Sequence, residues 1–194
     1  HAQAQIRELL TNYVKLDLLW FDGQWMHRKW DEWKWGEGKQ QLIDFWRADE
    51  LEAMIRELQP GIIINNRMAV DGDYRSVEQA ISVAEPELGI WETVQTIGDY
   101  WESWCDQRYT PSPSRKPGKQ LIVQLLIIAA KGGNILLNIA PRADGALQRE
   151  EVARLEEMGR WLSINGEAVY GTTPPPGPVF CSCGLVTTRE KAAY

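Results

Sequence analysis

Short apolar segments alternate with amphipathic helices along this chain of 194 residues, and this alternation restricts the fold most strongly. The predicted order is helix, strand, helix, strand, strand, helix, strand, helix. The predicted strands cover residues 16–21, 61–66, 90–97 and 134–141, and the predicted helices cover residues 4–13, 48–61, 119–131 and 148–166. Because apolar strands that alternate with helices are typical of a parallel sheet covered by helices, the pattern predicts an α/β fold.

Charge and hydropathy argue against two classes of partner. The net charge is −6 and the isoelectric point is about 5.1, whereas binding to phosphates requires a basic surface. The longest apolar run, at 121–130, contains Gln124 and is too short to span a bilayer. We therefore expect no nucleic-acid partner and no membrane partner. Cys181 and Cys183 lack the second pair of ligands of a zinc ribbon, so we also expect no metal site.

Polar side chains stand where several of the apolar runs end. Asp22 directly follows the first strand, the run Asn-Asn-Arg at 65–67 follows the second, and Asn138 lies in the strand at 134–141. Functional groups of parallel α/β sheets gather at the carboxyl ends of strands, which places Asp22 at a catalytic edge. The alternative is that Asp22 is an ordinary turn residue before Gly23.

Tryptophan is unusually frequent, and its distribution suggests a ligand. The chain has ten tryptophans, five of which crowd into residues 20–35. Indole rings stack on the apolar faces of sugars, but tryptophans also fill cores, and the sequence leaves both explanations open for this cluster. Together with acidic strand ends, the cluster indicates a carbohydrate site. A glycosidase additionally needs two carboxyl groups that flank one glycosidic bond.

Several motifs in order along the chain resemble the α-L-fucosidases of glycoside hydrolase family 29. The motifs, which together extend over about residues 4–172, are "LLTNYVKLDLLWFDG", "LQPGIIINNR", "GDYRSVEQ", "IWETVQTIGDYW", "KGGNILLNIAPRADG" and "GRWLSINGEAVYGT". The resemblance implies a (β/α)8 TIM-barrel-like fold, of which this chain carries the portion from the fourth strand onward. Residues 1–173 would form this partial catalytic barrel domain. The proline-rich stretch at 172–178 marks a boundary, and 174–194 would form a linker and the start of a C-terminal β-sandwich.

The same resemblance suggests roles for individual side chains. Asp22 matches the nucleophile of a retaining mechanism, Trp20 matches a residue that lines the sugar pocket, and Arg67 matches an arginine that contacts the sugar. Trp91 is a further candidate for substrate binding. The alternative for Arg67 is a surface arginine in a salt bridge.

The general acid/base is assigned to Glu78, which fits the position of a glutamate in a "PEQ"-like family segment. Ser76 and Val77 replace the commoner Thr-Pro of that segment. Glu92 is the alternative catalytic residue because it lies in a predicted strand, and a role in orienting the site is also open to it. Glu85 and Glu87 are weaker candidates for the same role.

The function implied by the resemblance is that of a retaining exo-α-L-fucosidase, a glycosidase that hydrolyses terminal fucose from oligosaccharides or glycoconjugates. The resemblance implies that no metal or organic cofactor is needed, and it implies a secreted, periplasmic or lysosomal-type compartment, which the residues themselves do not indicate. The alternative is an inactive fragment that acts only as a fucoside-binding or structural half-barrel. Such a half-barrel would require an oligomer or a complementary chain, since an incomplete barrel exposes strand edges.

Overall fold

The computed structural model describes residues 1–23, 39–81, 89–98, 115–176, 184–190 and 192–194. It divides by contacts into two compact units, His1–Ser76 and Val77–Tyr194. None of the helices in these ranges combines the length and the apolar character needed to cross a membrane. The division predicted at residues 173 and 174 stays a prediction.

The first unit packs three helices against a two-stranded parallel sheet. Its elements are α1 (Ala2–Thr11), β1 (Leu18–Leu19), α2 (Lys39–Trp46), α3 (Ala48–Leu58) and β2 (Ile63–Ile64). Leu18 pairs with Ile63, and Leu19 pairs with Ile64. The core contains residues from α1, α3 and β2, and Leu19 packs against it. Removing these apolar surfaces from water is the main force that stabilises the unit.

The second unit is built around a sheet with the order β3–β4–β5. Its elements are β3 (Arg75–Glu78, whose first two residues belong to the first unit), β4 (Trp91–Thr96), α4 (Gly118–Ala130), β5 (Asn134–Asn138), α5 (Arg149–Asn165), β6 (Thr188–Arg189) and β7 (Ala192–Ala193). β4 and β5 are parallel, and β6 and β7 form a separate antiparallel pair. Leu121, Leu125 and Met158, from α4 and α5, form a core with Ile97 beside the sheet.

The four predicted helices are confirmed, each to within three residues at either end. Two other elements were not expected. α2 lies in a segment for which no helix or strand is predicted, and its apolar face is only two turns long. β3 also lies outside the predicted strands, since its residues are mostly polar. It forms because its backbone pairs with its neighbours, and Ser76 N–H donates to Asn66 Oδ1 at 2.9 Å.

The predicted strand at 16–21 is shorter and less buried than its apolar sequence suggests. Only Leu18 and Leu19 belong to the strand, and Leu18 is 45% exposed. Its register partner Ile63 is 44% exposed. The next pair, Leu19 and Ile64, lies on the opposite face and packs into the core, as the two-residue period of strands requires. One face of the β1–β2 pair is therefore apolar and uncovered in the described residues.

A hydrogen bond of the buried Glu151 links α5 to the segment that follows β5. Its Oε2 accepts a hydrogen bond from Ala140 N–H at 3.0 Å, and both residues are fully buried. Burial raises the pKa of Glu151, because removal from water disfavours its charged form. The Ala140 N–H and the positive charge of Arg115 oppose this shift and lower the pKa in part.

A carboxyl whose folded-state pKa is raised binds its proton more tightly in the folded than in the unfolded state. Its contribution to stability therefore falls as the pH rises through the interval between the two pKa values. We expect the unfolding free energy of Glu151→Gln, relative to the original chain, to increase from about pH 4 to about pH 7. Urea titrations at several pH values measure this difference in unfolding free energy. Glu156→Gln, exposed in the same helix and not among the groups that shift the pKa of Glu151, is the control, and an equal pH trend in both variants would contradict this explanation.

Candidate active site

An ion pair between Asp22 and Arg67 lies just beyond the β1–β2 pair. Arg67 Nη1 is 3.1 Å from Asp22 Oδ1. The side chain of Arg67 is 10% exposed, whereas that of Asp22 is 46% exposed. Arg67 also lies over the ring of Trp20, with 5.0 Å between its Cζ and the ring centroid. One nearly buried guanidinium thus contacts two of the predicted site residues.

The arrangement leaves Asp22 chemically accessible. Arg67 holds one carboxylate oxygen, and the other has no hydrogen-bond partner within the residues described. A carboxylate that is fixed through one oxygen and open at the other is suited to nucleophilic attack. Cation–π contact with Trp20, worth about 0.5–2 kcal/mol, helps to hold the guanidinium in this position.

The side chain of Asn65 anchors the backbone next to Asp22. Its Oδ1 accepts a hydrogen bond from Phe21 N–H at 2.9 Å, and its Nδ2 donates to the Phe21 carbonyl at 2.9 Å. Asn65 is fully buried. Its amide continues the hydrogen bonding of the β1–β2 pair beyond the strands. Asn65 stands at a predicted polar strand end, but the motif predicts no role for it because sequence alone does not show what its amide contacts.

Gln59 makes two hydrogen bonds that link the backbone just before β1 to α1. Its Oε1 accepts from Leu16 N–H at 3.1 Å, and its Nε2 donates to the carbonyl of Leu10 at 3.0 Å. Between the two amides, Ile63 N–H donates to the carbonyl of Asp17 at 2.9 Å. The short strand β1 is therefore held along its whole length.

Asp73 joins β2 to the turn that follows the site. Its Oδ2 accepts hydrogen bonds from Ile64 N–H and from Arg56 Nη2, both at 2.8 Å. Arg56 Nη1 donates to the carbonyl of Ile62 at 2.6 Å. The hydrogen bond and the charge of Asp73 raise the pKa of Arg56 above its usual value, with a smaller contribution from Glu52.

The backbone around Arg67 departs from regular structure. Arg67 has φ −91° and ψ 18°, in a sparsely populated region where many active-site residues lie. Ala69 has a positive φ of 66°, which costs about 1–2 kcal/mol for a residue with a side chain. Gly72 has φ 64°, and a Cβ at this position would lie 2.7 Å from the carbonyl carbon and oxygen of Asn65. Only glycine fits at position 72.

The other predicted site residues lie in the second unit. Glu78 is exposed at the carboxyl end of β3. Glu92 is half-buried near the amino end of β4, in register with Asn134. Trp91 is 3% exposed and packs on Gly133, where a Cβ would lie 2.4 Å from the indole ring. The first unit thus brings Trp20, Asp22 and Arg67 together, and the roles predicted for all six residues stay predictions.

Several predicted features fall outside the described residues. Among them are Glu85, Glu87, the three cysteines and the other four tryptophans of the cluster at 20–35. Within the part of the chain that is described, no three His, Cys, Asp or Glu side chains group into a metal site.

Comparison with known proteins decides the family. The family model for alpha-L-fucosidase matches residues 1–167. This chain belongs to the alpha-L-fucosidase family. The resemblance stated from the motifs is thereby confirmed, and with it the lineage of glycoside hydrolases.

Individual fucosidases match nearly the whole chain but are much longer. The alpha-L-fucosidase of Dictyostelium discoideum is 28% identical over 178 residues, which cover 88% of this chain and 35% of that protein. Isoenzyme 1 from Paenibacillus thiaminolyticus is 29% identical with a TM-score of 0.76, covering 97% of this chain and 44% of that one. The chain thus spans about a third of the length of the curated relatives it matches.

A further solved fucosidase is informative because of its state. It is an alpha-L-fucosidase of family GH29 from Bacteroides thetaiotaomicron, trapped as a covalent intermediate with 2-fluoro-fucosyl fluoride in a mutant that carries glutamine in place of glutamate. It is 25% identical to this chain with a TM-score of 0.76, covering 96% of this chain and 44% of that one.

The hydrogen bonds of Asp73 predict a stability effect next to the candidate site. We expect Asp73→Ala to lower the unfolding free energy by about 1–3 kcal/mol, because the buried Ile64 N–H loses its acceptor. Urea unfolding measures the change. Asp144→Ala is the matched control, since Asp144 pairs with Arg142 at an exposed site, where a salt bridge contributes at most about 1 kcal/mol. Equal losses in the two variants would contradict the importance of Asp73.

Proposed function

We propose that this chain carries the nucleophile of a retaining exo-α-L-fucosidase that hydrolyses terminal fucose from glycans. The observation that carries the proposal is the half-exposed carboxylate of Asp22, held through one oxygen by Arg67 at the carboxyl end of β1. Membership of the fucosidase family supports the reaction class. The covalent intermediate of the Bacteroides relative supports a retaining mechanism.

The proposed reaction has two steps. In the first, the free oxygen of Asp22 attacks the anomeric carbon of fucose, and the bond from that carbon to the glycosidic oxygen breaks. The departing oxygen takes the electron pair and a proton from the general acid. In the second step a water molecule attacks the same carbon, gives a proton to the same residue, and releases Asp22 as a carboxylate.

We assign the general acid/base to Glu78. Its exposed side chain at the carboxyl end of β3 suits a residue that exchanges protons with a leaving group and with water. Glu92 remains the alternative, but it lies toward the amino end of β4, whereas active sites of (β/α)8 barrels lie at the carboxyl ends of strands. The trapped relative carries a glutamate replacement, which agrees with a glutamate in this role.

The proposed sugar contacts involve Arg67 and Trp20. Arg67 would contact the sugar through its guanidinium, beside the oxygen of Asp22 that it holds. Its guanidinium covers one face of Trp20, so the sugar would pack against the rest of that indole. Trp91 is buried against Gly133, and we therefore propose that it supports β4 and β5 rather than contacting fucose.

We further propose that residues 1–173 correspond to the part of a (β/α)8 barrel from its fourth strand onward, and residues 174–194 to a linker and the start of a β-sandwich. Parallel pairing in both units supports the barrel assignment. The uncovered pair Leu18 and Ile63 supports the second candidate function, a half-barrel that needs a complementary chain. Apolar strand faces of this kind are filled by side chains from other strands in a closed barrel.

The first experiment tests the nucleophile with 4-nitrophenyl α-L-fucoside. We expect Asp22→Gly to lower turnover by at least about 1,000-fold, equivalent to about 4 kcal/mol, because no ester forms. Added azide should restore release of 4-nitrophenol by attacking the anomeric carbon directly, which gives fucosyl azide of inverted configuration. Asp17→Gly, five residues earlier, is the control. Turnover by Asp22→Gly at the original rate would refute the assignment.

The same assay decides whether a half-barrel is sufficient. A folded and monodisperse chain that hydrolyses no fucoside would favour the second candidate over an enzyme that acts alone. Recovery of turnover on adding a complementary fucosidase chain would then assign the catalytic role to the assembly.

The second experiment separates Glu78 from Glu92 by the stereochemistry of azide rescue. Loss of a general acid/base costs about 100- to 10,000-fold in rate, and azide then attacks the fucosyl-enzyme instead of water. We expect Glu78→Ala to yield fucosyl azide of retained configuration, and Glu92→Ala to yield none. Retained azide product from Glu92→Ala alone would transfer the role to Glu92. Product configuration is read by proton NMR.

A further inference from the structure

We propose that Asn65 is a positioning residue for catalysis, which aims the Asp22 carboxylate at the anomeric carbon without contacting the sugar. The inference rests on the proposed nucleophile role of Asp22. The observation behind it is that one fully buried amide engages both the N–H and the carbonyl of Phe21, each at 2.9 Å. Neither of these two hydrogen bonds involves an atom of Asp22.

The geometry explains how such a residue acts at a distance. Two hydrogen bonds on either side of the Phe21 α-carbon fix the direction in which the backbone leaves β1. The carbonyl of Phe21 belongs to the peptide bond that leads into Asp22, so its orientation sets the position of the Asp22 α-carbon. Gly23, which follows Asp22, has φ 85°. Glycine adopts many backbone conformations, so Gly23 does not itself fix the direction of the chain.

Arg67 alone does not fix the nucleophile in this way. It holds one carboxylate oxygen by a single hydrogen bond to a half-exposed side chain. Asn65 and Arg67 are two residues apart on the segment that follows β2, so one segment holds both the backbone before Asp22 and its carboxylate. A displacement of about 1 Å in a reacting group lowers rates by up to about 100-fold. Two attachments that keep the carboxylate in place therefore affect the rate directly.

Gln59 provides a matched control within the same unit. It uses the same kind of side-chain amide to bind the N–H of Leu16, two residues before β1, and the carbonyl of Leu10 in α1. If Asn65 mattered only for stability, removal of either amide would have the same kind of effect on catalysis.

The test uses covalent labelling of the 194-residue chain by 2-fluoro-fucosyl fluoride, followed by intact mass spectrometry. Labelling forms an ester between Asp22 and the anomeric carbon and releases fluoride. We expect Asn65→Ala to lower the saturating labelling rate by about tenfold or more, with the half-saturating concentration changed by less than about threefold. We expect Gln59→Ala to leave both values close to those of the original chain.

A second variant and a second readout guard against loss of folding. Asn65→Asp has nearly the same size, keeps an acceptor for Phe21 N–H and loses the donor to the Phe21 carbonyl. Hydrogen exchange at the Phe21 amide measures whether its hydrogen bond to Asn65 is intact, and this measurement requires no reaction with the sugar. We expect Asn65→Ala, but not Gln59→Ala, to accelerate this exchange by at least about tenfold, because the acceptor is gone.

The outcomes separate this inference from the function on which it rests. Labelling of Asn65→Ala and Asn65→Asp at the original rate would overturn the inference and leave Asp22 as nucleophile. Equal slowing by Asn65→Ala and Gln59→Ala would also overturn it, since both amides would then act through stability. An original chain that takes up no label, either alone or with the complementary fucosidase chain added, would overturn the nucleophile role first and the positioning role with it.

Discussion

The parallel pairing of β1 with β2 determines where Asp22 lies, although it contains only two residue pairs. So short a ladder would fray without the side-chain amides of Gln59 and Asn65, which bind the backbone before and after it. The segment after β2 then supplies Arg67 to the carboxylate. Hydrogen bonds of the strands and of these two amides therefore build the site, and the proposed nucleophile Asp22 needs few contacts of its own.

The features that sequence predicts well are those encoded by local periodicity. The four long helices were predicted because apolar residues recur at helical spacing, and the strands because short apolar runs stand between them. Asp22 and Arg67 were identified because they follow such runs, and the motifs linked both to the fucosidases. Their contact with each other follows from the parallel pairing, since parallel strands bring their carboxyl ends to one edge.

The features that sequence did not predict depend on tertiary partners. β3 is mostly polar and forms through pairing with its neighbours, which no local pattern encodes. The anchoring role of Asn65 requires knowledge of which backbone groups lie opposite its amide. Exposure of Leu18 was missed because an apolar sequence indicates a tendency to be buried, whereas actual burial depends on what covers the strand.

Gly72 has a consequence for reading natural variation in this family. Its positive φ and its 2.7 Å approach to the Asn65 carbonyl exclude every side chain, so any missense change at its codon would push on the residue that anchors Phe21. Such an allele would leave Asp22, Arg67 and Trp20 intact in the sequence. In this chain a substitution at Gly72 would therefore be a harmful allele even though every predicted site residue is still present in the sequence.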